Sequence, residues 1–225
     1  MEYVKCVLCN SSNLFKERYQ IHDRFNPDKK YKLQECQCGM IMTNPRPDLN
    51  EIASHYNNDN YHPNKRKNKI FNILYKLAQS VNNKSKKKII MHHIKSNGSI
   101  LDYGGGDGQF RDYMYQKSWE ADIYEPYLDG GMKKSKEIKM IKHNYYDVIS
   151  MFHSLEHIYD IDECLKSISD YLKDKGILVI SIPNHDAYER KFFNDNWIAY
   201  DVPRHLYHFT FESVERVLNK NKFKI

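Results

Sequence analysis

Apolar and polar positions along this chain follow two periods, and the switches between them mark its elements. Residues 100–103, 121–125, 146–152 and 176–182 are short apolar runs rich in Ile, Val and Leu, the pattern of strands buried on both faces of a sheet. After the first run Phe110, Tyr113 and Met114 recur at helical spacing, and before the last run Ile161, Cys164, Leu165, Ile168 and Leu172 do the same. Cys164 therefore reads as core rather than as a reactive thiol. Strands alternating with helices predict an open α/β sheet. Upstream, Ile70, Phe71, Ile73, Leu74, Leu77, Ala78 and Val81 form an apolar helical stripe.

The first buried run breaks into Asp102-Tyr103-Gly104-Gly105-Gly106-Asp107-Gly108, and the helix that follows opens near Gln109. Glycine supplies positive φ and close backbone approach, and a helix start aims free N–H groups at the same point, so the turn predicts a nucleotide-like ligand. The dinucleotide spacing G-x-G-x-x-G fails, because its third glycine would fall at Gln109 or Arg111. The spacing that fits is Asp102-x-Gly104-x-Gly106-x-Gly108. It suits a ligand with an amino-acid tail, since a carboxylate can hold an ammonium and backbone N–H groups can hold a carboxylate. About 20 residues on, Glu125 ends the second strand, where such folds place an acid against ribose hydroxyls.

This Asp-x-Gly-x-Gly-x-Gly pattern resembles motif I of class I S-adenosylmethionine-dependent methyltransferases. Two further segments narrow the resemblance. Thr43-Asn44-Pro45-Arg46-Pro47 and the stretch from Trp197 to Thr210, containing Asp201-Val202-Pro203-Arg204-His205-Leu206, are similar to segments of bacterial methyltransferases associated with sugars and surface polysaccharide, and that resemblance implies a tyrosine-rich helix over residues 49–56 followed by Tyr61. The resemblance implies a Rossmann-like class I methyltransferase sheet that binds S-adenosylmethionine through Asp102, Tyr103, Gly104, Gly106, Gly108, Glu125, Met151 and Phe152. Against the family pattern, the third strand is shortened to residues 137–142. Residues 223–225 would only begin a sixth strand, so the last strand is missing.

Four of the five cysteines lie before residue 40, as Cys6-x-x-Cys9 and Cys36-x-Cys38, separated by a segment suited to a β-hairpin. Two thiolate pairs on tight knuckles can close a tetrahedral zinc ribbon, with His22 as an alternative to one thiol in the shortened second knuckle. Four protein ligands leave no position for a catalytic water, so this zinc is structural. The expected organisation is a ribbon over residues 1–47, a helical basic connector over 48–96 and the cofactor-binding domain over 97–225.

Charge changes the picture in one place. Between residues 61 and 100 there is no Asp or Glu, while Lys65, Arg66, Lys67, Lys69, Lys76, Lys84, Lys86, Lys87, Lys88 and Lys95 are basic. The plain reading is a packed helix with a solvated lysine face. The functional reading is a surface for a phosphorylated or nucleotide-linked substrate, an anionic membrane or RNA. Neither a signal peptide nor a long apolar stretch is visible, which with unpaired cysteines predicts a cytoplasmic protein.

Methyl transfer to a hydroxyl needs a base, and histidine titrates near neutrality. His153, just past the strand at 146–152, and His205, on the later loop, are the catalytic candidates. His153-Ser154-Leu155-Glu156-His157 also spells H-x-x-E-H. The zinc-protease reading of that motif fails because its first residues end a strand. His153, Glu156, His157 and His205 could still gather a divalent ion, whereas the ordinary role of Glu156 and His157 is capping the next helix. The sequence thus predicts a methyltransferase acting on a sugar, nucleotide sugar or small phosphorylated precursor of a surface polysaccharide. Its alternatives are an RNA methyltransferase and a binding protein with a degenerate core.

Overall fold

The computed structural model describes residues 1–12, 15–56, 69–125 and 141–225. Tyr61, Lys65, Arg66 and Lys67, and most of the shortened third strand expected at 137–142, lie outside the described residues. Contacts divide the chain into two compact units. One comprises the described parts of Met1–Tyr56, His153–Ser169 and Ser181–Ile225, the other those of Asn57–Phe152 and Asp170–Ile180. These limits differ from boundaries at residues 47 and 96, because segments far apart in sequence share one sheet.

The first unit is built on β1 (Phe15–Asp23), β2 (Asn26–Cys36), β3 (Ile41–Thr43) and, from the far end of the chain, β8 (Tyr207–His208), in the order β1-β2-β3-β8. β1 and β2 form the expected antiparallel hairpin, with Ile21 opposite Tyr31 and Tyr19 opposite Leu33. Alternation turns Ile21, Tyr31 and Leu33 to one face, where they pack with Ile41, Trp197, Tyr200 and Val202. The helix expected at 49–56 is only the single turn α1 (Ala53–Tyr56). The Asp48 carboxylate accepts from the N–H groups of Asn50 and Glu51, and this side-chain turn replaces the first helical turn. After α6 (Phe211–Lys220), Phe223 N–H donates to the Leu218 carbonyl, and residues 223–225 form no strand.

The second unit holds the parallel sheet, ordered β5 (Glu120–Tyr124), β4 (Ser99–Tyr103), β6 (Tyr146–Phe152) and β7 (Leu172–Ser181). β4 is central and buried throughout, in parallel register with β5 and with β6, so that Asp102 lies between Ile123 and Ser150. The long helix α2 (Lys69–His93) and α3 (Gln109–Gln116) pack on it through Ile90, Phe110 and Met114, against Ile100, Trp119 and Val148. The phase of α2 is unlike the packed-stripe expectation. Leu74, Leu77 and Val81 are exposed, while the sheet-side positions run Tyr75, Gln79, Asn83, Lys86 and Ile90. The residues between the last two strands form the expected amphipathic helix α4 (Ile161–Tyr171), with Cys164 in its buried face. A short helix of the first unit, α5 (Tyr188–Phe193), comes after β7 in the chain. No helix among the described residues is long and apolar enough to cross a membrane.

Candidate functional site

The glycine turn is shaped by its own backbone. Gly104, Gly106 and Gly108 all have positive φ, at 75°, 57° and 78°, where any side chain would be strained. A Cβ on Gly105 would meet the Asp102 Oδ2 atom at 2.5 Å, whereas one on Gly106 would meet nothing within 4 Å. The loop thus wraps tightly around the Asp102 carboxylate and leaves open space at Gly106. Glu125 closes the turn from β5: its Oε2 accepts from Gly106 N–H at 2.8 Å.

Asp102 is 4% exposed, and its Oδ1 accepts from the Ser150 hydroxyl at 2.8 Å. Burial pushes its pKa up to about 6, against the opposing pull of the Ser150 hydrogen bond and the Lys86 charge. Lys86 projects from α2 and is missing from the sequence-based site. Its Nζ lies 4.3 Å from the Phe152 ring centre and 5.2 Å from that of Phe110, and burial draws its pKa down. Asp102, Gly104, Gly105, Phe152 and Lys86 line one cleft, with Asn82 and Asn83 of α2 on its polar wall. The chemistry of this cleft is a buried carboxylate facing open space, with a cation and two aromatic rings beside it.

Two of the predicted cofactor residues contribute differently. Tyr103 is buried, its ring 4.6 Å from that of Tyr124. Met151 alternates to the face of β6 opposite Phe152 and is fully buried, so its side chain packs the sheet.

In the other unit, the chain after β6 places the histidines. His153 has φ 56° and a side chain 63% exposed, with Nδ1 3.5 Å from Glu156 Oε1. His205 is buried instead. Its Nδ1 donates to the Ala199 carbonyl at 2.9 Å, its Nε2 lies 3.9 Å from Glu156 Oε1, and burial holds its pKa down at about 4. Glu156 and His157 do not cap α4, since they form a single 3-10 turn at Leu155–His157 and Asp160 caps the helix by accepting from Glu163 N–H. Arg204 is fully buried, donating to Asp23 Oδ1 at 3.0 Å and Asp201 Oδ1 at 2.9 Å. Arg46 reaches the Tyr159 carbonyl and the Tyr207 hydroxyl from β3's end, so the two family-like segments meet around this region.

The four N-terminal cysteines converge. Cys6 and Cys38 Sγ atoms are 3.4 Å apart, Cys9 and Cys36 3.5 Å, and all four lie within 4.8 Å of one another. The separations exceed a disulfide and suit thiolates around one tetrahedral ion. The short second knuckle works because Gly39, at φ 87°, folds its N–H back onto the Cys36 carbonyl. His22 is not in this group: it is exposed and donates from Nδ1 to the Pro27 carbonyl. The Ser11 N–H holds the Cys9 thiol down at about 7, while burial pushes the Cys6 thiol up.

A family model described as a methyltransferase domain matches residues 64–225. Among solved structures, an S-adenosylmethionine-dependent methyltransferase from Archaeoglobus fulgidus is 21% identical with a TM-score of 0.50, over 70% of this chain and 75% of that one. A possible histamine N-methyltransferase from Thermotoga maritima is 17% identical with a TM-score of 0.45, over 60% of this chain and 70% of that one. A phosphoethanolamine N-methyltransferase of Haemonchus contortus, solved with S-adenosylmethionine, is 16% identical with a TM-score of 0.41, over 61% of this chain and 36% of that one. No curated protein matches.

Proposed function

Because the chain belongs to the methyltransferase-domain family, we propose that it moves a methyl group from S-adenosylmethionine to a hydroxyl of a sugar, nucleotide sugar or small phosphorylated precursor of a surface polysaccharide. The observation that carries the cofactor assignment is the glycine cradle closed around a buried carboxylate. An Asp102 that burial pushes up to about 6, despite the Ser150 hydrogen bond and the Lys86 charge, is a group that a further cation would satisfy, and an ammonium is what the cofactor's amino-acid tail offers. Glu125, held by Gly106, is the proposed acceptor of the ribose hydroxyls. Lys86 is the proposed partner of the tail's carboxylate, and Phe152 and Phe110 form an apolar wall.

When bound, S-adenosylmethionine supplies a methyl group already activated on a sulfonium. The chain's own task is then to orient the acceptor and take its proton. His153 is the proposed base, since its ring is accessible and Glu156 lies beside its Nδ1. His205 shares Glu156 but is buried, which suits orientation better than direct proton transfer. The family-like segments around Arg46 and Arg204 support the sugar-linked acceptor, and the acid-free basic helix α2 supports a phosphorylated one.

Zinc in the four-cysteine cluster is proposed as structural, and a reduced cluster of this kind supports a cytoplasmic location. Calorimetry tests the cofactor reading: intact protein should bind S-adenosylmethionine and Asp102→Ala should bind it at least ~10-fold more weakly. Absence of binding to the wild-type chain, or equal affinity in the variant, would remove Asp102 from the site. The RNA alternative rests on the lysines of α2. It requires binding that weakens steeply with salt, and a flat response excludes it.

A further inference from the structure

Glu156 is the most deeply buried carboxylate of the first unit, 0% exposed, and neither of its oxygens has a hydrogen-bond partner. A buried carboxylate left this way costs several kcal/mol unless something cationic reaches it. Arg204, a buried cation of the same unit, is committed elsewhere, to Asp23 and Asp201.

Three imidazoles stand near Glu156: the exposed His153, whose Nδ1 lies 3.5 Å from Oε1, and the less exposed His157 and His205, which group with the carboxylate. His157 and His205 stand with ring centres 4.6 Å apart, and one ligand atom from each of Glu156, His157 and His205 falls within 4.8 Å of the others. The tautomers follow from their neighbours. His157 Nδ1 lies 2.9 Å from the Arg204 carbonyl and His205 Nδ1 2.9 Å from the Ala199 carbonyl, and a carbonyl can only accept. Both Nδ1 atoms therefore carry hydrogen, and both Nε2 atoms carry lone pairs. Backbone carbonyls fixing Nδ1–H of histidines whose Nε2 stays free is the support that metal-ligating histidines need.

We propose that Glu156, His157 and His205 form a binding site for a divalent first-row transition cation, separate from the four-cysteine cluster. One carboxylate and two imidazoles match the donor set of Mn²⁺, Fe²⁺ or Co²⁺ sites more closely than an all-oxygen Ca²⁺ or Mg²⁺ site. Three protein ligands leave coordination positions open for water or another oxygen ligand. The cation answers the buried Glu156 carboxylate, and its binding stands independently of the methyl-transfer reading. Binding has a sequence signature in Glu156-His157, adjacent in a 3-10 turn, joined by His205 from a loop that Glu156 also holds through Leu206 N–H at 2.8 Å.

The full chain, with zinc already supplied, is titrated with Mn²⁺ and the free ion followed by electron paramagnetic resonance. Wild type should take up one saturable equivalent. Glu156→Gln and His205→Ala should each weaken uptake at least ~10-fold. Glu156→Gln without metal should melt no lower than metal-free wild type, because the amide removes a buried charge, and Mn²⁺ should raise the melting temperature of wild type alone. A second readout needs no variant: Mn²⁺ should broaden the imidazole resonances of His157 and His205 while leaving His22 sharp. No saturable uptake of Mn²⁺ or Co²⁺ at millimolar concentration overturns the proposal, as does uptake unchanged in both variants or broadening that spares His157 and His205.

Discussion

Asp102 shows how a single side chain couples fold to ligand. Its native pKa, about 6, stands above the ordinary aspartate value. Between pH 4 and 6 the native state therefore holds a proton that the unfolded chain has released, and stability falls as pH rises through that window. Asp102→Asn should abolish this fall and, at pH 7, stabilise the ligand-free protein by about 1–3 kcal/mol, read by urea denaturation across pH. The same variant should lose the pH dependence of cofactor affinity, which in wild type should weaken as pH drops below about 6 and the carboxylate takes up its proton. A second residue-scale test concerns His153. His153→Gln should lower turnover ~10²-fold or more while leaving the cofactor dissociation constant unchanged, and turnover within twofold of wild type would return His153 to a structural role.

The Asp102–Gly108 turn was legible in the sequence because positive φ is a local demand that glycine announces. Lys86 was hidden for the opposite reason. In a run of three lysines only the phase of α2 decides which one turns toward the cleft, and that phase is fixed by Ile90, four residues on.

At the scale of elements, the cysteine knuckles and α2 make separate predictions. The hairpin β1–β2 is long but buries few side chains, so the proposed zinc would contribute to holding its knuckles together. Cys6→Ser should reduce zinc stoichiometry, measured by mass spectrometry of the metal content, and should lower the melting temperature by several degrees. Unchanged zinc content would take Cys6 out of the ligand set. For α2, Lys86→Met keeps the aliphatic stem against Phe152 and removes only the charge. It should weaken S-adenosylmethionine binding without lowering stability, and Lys87→Met, one position round the helix, should leave affinity unaltered. The pattern of apolar residues predicted that α2 exists. It did not give the outward turn of Leu74, Leu77 and Val81, because periodicity shows that a stripe is present but not which way it faces.

Across the molecule, the first unit depends on pairs far apart in the chain. Arg204 and Asp23 are separated by 181 positions, and no local pattern links them. Although burial opposes it, the His55 hydrogen bond, the Phe25 N–H and the Arg204 charge hold the Asp23 pKa at about 2. Its folded value lies below the unfolded one, so this contribution to stability is complete above about pH 4 and is lost as pH falls toward 2. Arg204→Met should cost about 3–5 kcal/mol in chemical denaturation, because it takes the guanidinium away from buried Asp23 and from half-buried Asp201. A loss under about 1 kcal/mol would mean that water already reaches Asp23. Fold class and strand succession could be read from the sequence, since each buried run declares itself. The joining of β3 to β8 could not, because a two-residue strand carries no signature of its partner.

That same pairing has a consequence in time. Thr43 bonds to the His205 carbonyl and to His208, 165 positions later. On the ribosome, at roughly 5–20 residues per second, the edge of β3 waits on the order of ten to thirty seconds before its partner exists. An open strand edge of that kind recruits other chains. If the proposed zinc is gathered early by the four cysteines, it would hold the hairpin in register through this interval, and the ribbon would then protect the nascent chain as well as brace the finished one.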